Sequence, residues 1–168
     1  MDQFESFEDG LIALLPRLRR FAHALSRNSA DADDLTQATV ERTLRSRAQW
    51  ETGTRLDSWL YRIMRNLWID TVRSRARKED LHAPVEEADR IGEDPRSAIE
   101  ASIDLQKAVA TMQRLPDEQR EVVALILIEG FGYRECSEIL GLPLGTVSSR
   151  LVRGRTSLLQ MMGNPDGE

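Results

Sequence analysis

Helical periodicity is the feature of this sequence that most limits how the chain can fold. Apolar residues return every three or four positions in each long segment, and the first such segment carries Leu11, Leu14, Leu15, Leu18, Phe21, Ala22 and Leu25. This spacing places the apolar side chains along one side of an α-helix. No run alternates apolar and polar residues over enough positions to indicate a strand. The sequence therefore predicts an all-α fold.

Short breaks divide the N-terminal part of the chain into three helices. Asn28-Ser29 ends the first helix, and the acids that follow suit the positive N-terminal end of the second. The second helix runs to about Arg47, and its inward residues are expected to be Leu35, Val40 and Leu44. After a loop that contains a glycine, the third helix runs to about Arg77. It is expected to bury Leu56, Leu60, Ile63, Leu67 and Val72.

Composition changes abruptly after Lys78. Residues 79–97 are acidic, include two prolines and a glycine, and show no sustained period, which is typical of a linker. We therefore expect two small helical domains joined by a flexible acidic linker. The predicted boundaries are residues 1–78 for the first domain, 79–97 for the linker, 98–162 for the second domain and 163–168 for a tail.

The net charge of −5 argues against a nucleic-acid-binding protein, but the charge is unevenly distributed. Residues 55–78 contain seven basic and two acidic residues, whereas residues 79–100 contain eight acidic and two basic residues. Because charges are screened over about 10 Å, a nucleic acid responds to the local field rather than to the total. The basic run is therefore compatible with nucleic-acid binding, although a solvated helix face is the simpler interpretation.

Several classes of protein are disfavoured. The longest apolar runs are far shorter than the ~20 residues of a membrane span, and the first ten residues carry four acids and no Lys or Arg, unlike a signal peptide. A single cysteine cannot form an intrachain disulfide. Asp31, Asp33, Asp34 and Glu41 suggest a metal site, but helix capping explains the first three better. We expect a cytoplasmic protein with no membrane insertion, metal, cofactor or catalytic residue.

The C-terminal module is predicted to contain four helices. One begins near Ser97 and ends before Pro116, and the next spans Asp117 to Glu129. A short helix at Tyr133–Leu140 and a longer one from about Pro143 to Leu159 follow, joined by a glycine-containing turn. This last pair has the pattern of a helix-turn-helix, whose second helix can lie in the major groove of DNA.

The second helix of this pair has a candidate DNA-facing side. With Val147 and Leu151 turned inward, the outward residues suited to reading bases are Ser148, Ser149, Val152 and Arg153. Those suited to holding phosphates are Thr146, Arg150 and Arg155. The alternative is an ordinary helical hairpin with a solvated arginine face.

The third helix carries aromatic residues among basic ones, a composition typical of surfaces that bind single-stranded nucleic acid. Aromatic rings stack on unpaired bases, and arginines follow the backbone. The residues concerned are Trp59, Tyr61, Arg62, Arg65, Asn66, Trp68 and Arg73. Trp50, in the preceding loop, could wall a pocket for an extruded base. Trp59 is equally well explained as a core residue, and burial is the better explanation for Trp68.

Taken together, the two modules resemble a known family. Region 2 of an extracytoplasmic-function, or group IV, bacterial sigma factor is similar to residues 31–44, DADDLTQATVERTL, followed by residues 56–77, LDSWLYRIMRNLWIDTVRSRAR. Region 4 of the same family is similar to residues 115–158, LPDEQREVVALILIEGFGYRECSEILGLPLGTVSSRLVRGRTSL. Both motifs occur in the family's order, with a short linker in place of the region 3 of larger sigma factors.

The resemblance implies a promoter-specificity subunit that performs no chemistry itself. The implied partners are core RNA polymerase, through its β′ clamp helices and β subunit, promoter DNA and an anti-sigma factor. The implied polymerase contacts are Asp34, Gln37, Glu41 and Arg45. Spacing alone shows only that the last three share a helix face, which suits either a protein partner or water. Implied −10 contacts are Trp50, Arg55, Trp59, Arg62, Asn66 and Arg73, and the −35 contacts are the seven DNA-facing residues given above.

Within the family, residues 16–44 and 53–66 are similar to the alphaproteobacterial general-stress-response sigma factors. Members of that group are held by a small helical anti-sigma protein and are released when a response regulator with a sigma-like domain removes it. The resemblance therefore implies a role in a stress response. Many family members have Lys or Arg where this chain has Ser148, which places more of the −35 contact on Arg150 and Arg153.

Two alternatives come from other classes of DNA-related protein. An adaptor that binds an inhibitor and never DNA is expected to lack DNA-facing arginines, but Arg150, Arg153 and Arg155 are present. A simple dimeric repressor would leave the aromatic and basic N-terminal module unexplained.

Overall fold

The computed structural model describes residues 6–81 and 103–163. The chain divides into two compact units, residues 1–92 and 93–168. Both described ranges are helical and neither contains a strand, which confirms the all-α prediction. The predicted linker at 79–97 begins within the last helical turn before residue 82 and otherwise lies outside the described residues, as does the tail after Gly163.

Within residues 6–81, the N-terminal unit contains three α-helices, α1 (Phe7–Ser26), α2 (Ser29–Arg45) and α3 (Leu56–Leu81). A short 3₁₀ turn, Arg47–Gln49, begins the connection from α2 to α3. Helix α3 continues four residues beyond its predicted end at Arg77. The three helices pack on one another around Leu14, Leu18, Phe21, Leu35, Leu60, Tyr61 and Met64.

Local capping explains where α1 and α2 begin. The Ser6 hydroxyl accepts a hydrogen bond from the backbone N–H of Asp9 (3.1 Å), and the Asn28 side chain accepts one from the N–H of Asp31 (2.8 Å). Each bond satisfies a donor that the helix itself leaves unpaired. Between the two helices, Arg27 has the left-handed φ of +65°, which ends α1 and allows the chain to turn.

The buried face of α2 differs from the prediction. Leu35 is buried and Val40 is half-buried, but Leu44 is 50% exposed, so its expected inward position is wrong. The packed side carries small and hydroxyl residues instead, namely Ala32, Thr36, Thr39 and Thr43. Burial of Thr36 and Thr39 is tolerated because their hydroxyls donate to the carbonyls one turn earlier at 2.7 Å.

The buried face of α3 follows the prediction only in its first half. Leu56 and Leu60 are buried and Ile63 and Leu67 are half-buried, whereas Val72 is 46% exposed and its expected burial is wrong. Tyr61 is fully buried, and its ring lies 5.1 Å from that of Phe21. The tyrosine therefore belongs to the core and not to the aromatic surface.

The C-terminal unit contains α4 (Ile103–Gln113), α5 (Asp117–Val123), α6 (Tyr133–Leu140) and α7 (Leu144–Gly163). Apolar residues of α5, α6 and α7 form the core of this unit: Val122, Val123, Ile139, Val147 and Leu151 are buried, and Ile126 and Leu142 are half-buried. Gly141, with a left-handed φ of +65°, makes the turn between α6 and α7. The helix-turn-helix prediction is confirmed.

The helix predicted over Asp117–Glu129 is α-helical only to Val123. A π turn, Ala124–Ile128, follows, and the N–H of Glu129 donates to the carbonyl of Ala124 at 2.9 Å. Gly130, at φ +78°, then reverses the chain and allows Phe131 to return to the core. The wider turn leaves Leu127 and Ile128 exposed, so the apolar run does not form one continuous buried face.

Candidate nucleic-acid interface

One side of α3 presents the polar and basic residues predicted to contact a single strand. Spacings of three, four and seven residues align Trp59, Arg62, Asn66 and Arg73, and Arg55 lies in line with them just before the helix. We call these five residues the α3 stripe. Trp59 is half-buried and the other four are exposed. Within residues 6–81, neither Arg62 nor Arg73 has an ion-pair partner, so both guanidinium groups are available to phosphate.

Two further residues belong to the same side of α3 and were not singled out from the sequence. Arg77 is exposed and lies eighteen residues, or five turns, after Trp59, so it extends the stripe. Asp70 is also exposed on this side and interrupts the positive field between Asn66 and Arg73. The five-turn spacing was the signal that could have identified Arg77.

The aromatic residues at the start of α3 are anchored on α1. The Phe7 ring is 6% exposed and lies 5.5 Å from the Trp50 ring and 6.3 Å from the Trp59 ring. Arg47 lies over the Phe7 ring at 5.0 Å and forms an ion pair with Glu8. Trp50 and Trp59 are both half-buried, so each combines a packed edge with an accessible one. The Nε1 atom of Trp50 is buried and has no hydrogen-bond partner within the described residues.

Ion pairs fix the loop that precedes α3. Arg55 donates to both carboxylate oxygens of Asp57, at 3.1 and 2.7 Å. Arg17 of α1 approaches the same carboxylate at 3.8 Å and lies over the Tyr61 ring at 5.7 Å. Arg55 is therefore a partly neutralised member of the stripe, held against the helix rather than extended into solvent.

A cleft of about 480 Å³ lies between α2 and α3 and includes Trp68 in its wall. Arg75 donates to both carboxylate oxygens of Asp31, at 2.8 and 2.7 Å, and lies over the Trp68 ring at 5.8 Å. The bonds from Arg75 lower the pKa of Asp31 below its ordinary value of 3.8. Trp68 is half-buried in the wall of this cleft, as the sequence favoured, and it does not belong to the stripe.

The residues predicted to contact polymerase share the solvent side of α2. Asp34, Gln37, Glu41 and Arg45 are all exposed, and the Gln37 amide donates weakly to Glu41 at 3.5 Å. Leu44 is exposed beside them. The sequence interpretation missed Leu44 because a leucine at a helical spacing reads as a core residue. A single exposed leucine is ordinary on a protein surface, so Leu44 adds an apolar group to this face without marking it as an interface.

Helix α7, the second helix of the helix-turn-helix, exposes most of the side that was predicted to face DNA. Ser148, Ser149, Val152, Arg153 and Arg155 are exposed, and Thr146 is half-buried at the start of the helix. The Arg153 guanidinium group donates to the carbonyl and the hydroxyl of Ser149, at 3.3 and 3.4 Å, within its own helix. These bonds keep the guanidinium on the helix surface, where it can reach a base edge.

Arg150 differs from the other predicted −35 residues. Its side chain is 19% exposed and forms ion pairs with Glu118 at 3.4 Å and Glu121 at 3.9 Å, both on α5.

Burial raises the pKa of Cys136 on α6 to about 12, and the negative charge of Glu121 acts in the same direction. Glu121 of α5 therefore acts electrostatically on both helices of the helix-turn-helix.

The described residues also bear on membrane spans and metal sites. No helix in residues 6–81 or 103–163 is both long and apolar enough to cross a membrane. Within the same ranges, no three side chains of the types that bind metals come together.

Comparison with known proteins identifies the two units. The sigma-70 region 2 family matches residues 11–78, and the sigma-70 region 4 family matches residues 105–158. The extracytoplasmic-function RNA polymerase sigma factor EcfG of Rhodopseudomonas palustris strain TIE-1 is 34% identical over 158 residues, which span 94% of this chain and 86% of that protein. This chain belongs to the extracytoplasmic-function sigma factors.

Two further comparisons agree with this assignment. The sigma factor SigE of Mycolicibacterium smegmatis is 40% identical over 158 residues, which cover 90% of this chain and 60% of that protein. The structure of the sigma factor RpoE from Bartonella quintana, solved with the anti-sigma factor NepR, matches 95% of this chain and 98% of that chain with a TM-score of 0.78 and 29% identity. As a sigma factor, this protein binds core RNA polymerase and directs transcription initiation at promoter DNA.

Proposed function

We propose that the α3 stripe and α7 divide promoter recognition between the two units of this sigma factor. The α3 stripe would hold the non-template strand of the −10 element, and α7 would read the −35 element as duplex. The observation that carries the proposal is that each unit bears an exposed basic and polar face on one helix, opposite the side that packs in its core. The protein itself would contribute binding energy, and the polymerase would perform the chemistry.

The α3 stripe suits an unpaired strand more than a duplex. Trp50 and Trp59 offer half-buried rings on which an extruded base can stack, and Arg62 and Arg73 offer charges spaced along the helix. Stacking on an aromatic side chain contributes about 1–3 kcal/mol per base, which offsets the few kcal/mol that unstacking costs. Asn66, between the arginines, would donate to or accept from a base edge.

Helix α7 suits the major groove. Arg153 can bind a guanine through two hydrogen bonds, Ser148 and Ser149 can bind bases or phosphates, and Val152 can contact a thymine methyl group. Thr146 and Arg155 would hold phosphates on either side, which orients the helix without reading sequence.

The solvent side of α2 is proposed to bind the β′ clamp helices of the polymerase, with the C-terminal unit contacting the β subunit. Asp34 and Glu41 supply negative charge, Arg45 supplies positive charge, and the exposed Leu44 supplies an apolar contact. Such a mixture is typical of protein interfaces whose charged rim surrounds a small apolar centre.

Control by an anti-sigma factor in the cytoplasm is the regulatory part of the proposal. Support comes from the likeness to RpoE, whose structure was solved with the anti-sigma factor NepR, and from the similarity to EcfG. By analogy, an anti-sigma protein of the NepR kind would hold this sigma factor until a general stress signal releases it.

Start-site mapping tests the proposed function. The purified chain and core RNA polymerase from the same organism are incubated with a promoter library, and the 5′ ends of the transcripts are sequenced. We expect start sites that core polymerase alone does not produce, preceded by two shared sequence elements. The absence of any such start site would reject the proposal. Adding an anti-sigma protein of the NepR kind should abolish these transcripts, and unchanged transcripts would reject the regulatory part alone.

A further inference from the structure

Arg150 lies on the packed side of α7, although its position in the sequence suggests a phosphate contact. It comes three residues after Val147 and one residue before Leu151, both fully or nearly fully buried. Its side chain is 19% exposed, whereas Arg153 and Arg155 are exposed. The guanidinium therefore points toward α5 and away from the side that faces DNA.

The surroundings of Arg150 are unfavourable for binding phosphate. Two carboxylates, of Glu118 and Glu121, lie within 4 Å of a single guanidinium, so the local net charge is negative. A phosphate approaching Arg150 would meet this negative charge and would have to displace an existing ion pair. Glu121 is only 12% exposed, so the pair is also shielded from solvent and screened less than a surface pair.

The same region of α7 is held very close to α5. A Cβ atom added at Gly154, one turn after Arg150, would lie 2.7 Å from a methyl group of Val123. The close approach at Gly154 fixes the distance between the two helices, but a helix without a side chain at the crossing point can still rotate about its own axis. Ion pairs from Arg150 to Glu118 and Glu121, on successive turns of α5, oppose that rotation.

We propose that Arg150 is a positioning residue that fixes the rotation of α7 on α5. Through its ion pairs it holds the exposed side of α7, and Arg153 above all, at the angle from which base edges can be read. The inference rests on the proposed −35 role of α7 and assigns Arg150 to the internal structure of that site rather than to its DNA-contacting surface. Glu118 and Glu121 become part of the specificity of the helix without approaching DNA.

The two roles predict opposite results for the glutamates. If Arg150 binds phosphate, removing a neighbouring carboxylate frees the arginine and tightens DNA binding. If Arg150 is a positioning residue, Glu121→Gln releases the helix and lowers discrimination, as Arg150→Gln does. A phosphate contact also contributes about one unit to the slope of log affinity against log salt, whereas an internal ion pair contributes none.

The test uses holoenzyme made from the full chain and core polymerase. The probes are a fluorescent promoter duplex recovered by start-site mapping and the same duplex with its −35 element scrambled. For each variant, the ratio of the two affinities and the salt dependence are measured. We expect Arg150→Gln and Glu121→Gln each to lower the ratio about three- to tenfold, with an unchanged salt slope. The double variant should be no worse than either single one, because both changes remove the same pair.

Matched variants make the result decisive. Arg155→Gln, which removes a proposed phosphate contact, should reduce the salt slope by about one unit. Glu138→Gln, an exposed acid on α6, should leave the ratio and the slope unchanged. Glu118→Gln removes only the charge of a side chain that is 69% exposed, so it will not unfold the unit. It should lower the ratio about twofold even if Arg150→Gln unfolds the unit.

Three results would overturn the inference: a salt slope reduced by Arg150→Gln, tighter binding in the glutamate variants, or additive losses in the double variant. Glutamate variants that discriminate as well as the native chain would also reject it while leaving the proposed function intact. A native holoenzyme that prefers neither duplex would reject the proposed function and this inference with it.

Discussion

The arginines near the α3 stripe and those of α7 are used differently. In the N-terminal unit, Arg55 and Arg75 are bound to acids of their own unit, and Trp50 and Trp59 pack on Phe7. In the C-terminal unit, Arg150 is likewise bound to acids of its own unit, whereas the described hydrogen bonds of Arg153 stay within α7. Surface and core are therefore linked in the first unit, where side chains proposed to contact DNA also pack on or bond to the rest of the unit. In the second unit the two roles fall to different arginines, because Arg150 is bound on the packed side of α7 and Arg153 lies on its exposed side.

The chain offers an independent probe for each unit. Its three tryptophans, Trp50, Trp59 and Trp68, all belong to the N-terminal unit, and its single cysteine, Cys136, is fully buried in the C-terminal unit. Tryptophan fluorescence therefore follows unfolding of the first unit. Alkylation of Cys136 follows opening of the second, because the raised pKa of about 12 and burial keep the folded thiol unreactive.

The largest expected effect comes from Phe7→Ala. Removing this 6% exposed ring deletes the contact that holds Trp50 and Trp59, and we expect the N-terminal unit to lose about 3–4 kcal/mol of unfolding free energy. Urea denaturation followed by tryptophan fluorescence measures the loss, and Cys136 alkylation should be unchanged. If the variant unfolds at the same urea concentration as the native chain, the aromatic contacts of Phe7 do not stabilise the N-terminal unit.

A somewhat smaller effect is expected from Gly154→Leu. The added side chain meets Val123, whose stiff, buried side chain cannot move aside, and overpacking should cost the C-terminal unit about 2–3 kcal/mol. Faster alkylation of Cys136 with an unchanged fluorescence transition is the expected signature. Gly145→Ala is the matched control, since nothing lies within 4 Å of its added Cβ, and it should be neutral or slightly stabilising. If Cys136 is alkylated at the same rate in Gly154→Leu and Gly145→Ala, α5 and α7 do not cross closely at Gly154.

The smallest expected effect concerns the ion pair between α2 and α3, and it depends on pH. Because Arg75 lowers the pKa of Asp31 below 3.8, the folded state binds its proton less tightly than the unfolded state does. The stabilisation, about 1 kcal/mol, is therefore present above pH 3.8 and is lost as pH falls through the lowered pKa. Asp31→Asn should remove this acid-sensitive component from the fluorescence transition. An unaltered pH profile would show that the pair contributes nothing to stability.

The fold was predictable from the sequence because its helices carry strong periodic signals, and the errors have specific physical causes. Leu44 and Val72 were expected to be buried because apolar residues at helical spacing usually face the core, but both are exposed. On α2, threonines that hydrogen-bond to their own helix occupy the packed side instead. The π turn after Val123 was missed because an uninterrupted apolar run gives no sign of a change in helical pitch.

The candidate site was predictable in its positions but not in its ion pairs. The spacing of Arg62, Asn66 and Arg73 on one face follows directly from the helical repeat. The pairing of Arg150 with Glu118 and Glu121 joins residues about thirty positions apart in the sequence, and it depends on how two helices cross. Sequence spacing within one helix cannot supply that information.

The most direct test of the account is start-site mapping repeated with one variant in each unit. Asn66→Ala should change the preferred sequence of the −10 element alone, and Arg153→Ala should lower discrimination at the −35 element alone by about 1–3 kcal/mol. Lys107→Ala, which removes an exposed charge from α4, should change neither element. If both variants alter the same element, or if the start sites are unaffected by either, the division of promoter recognition between α3 and α7 is wrong.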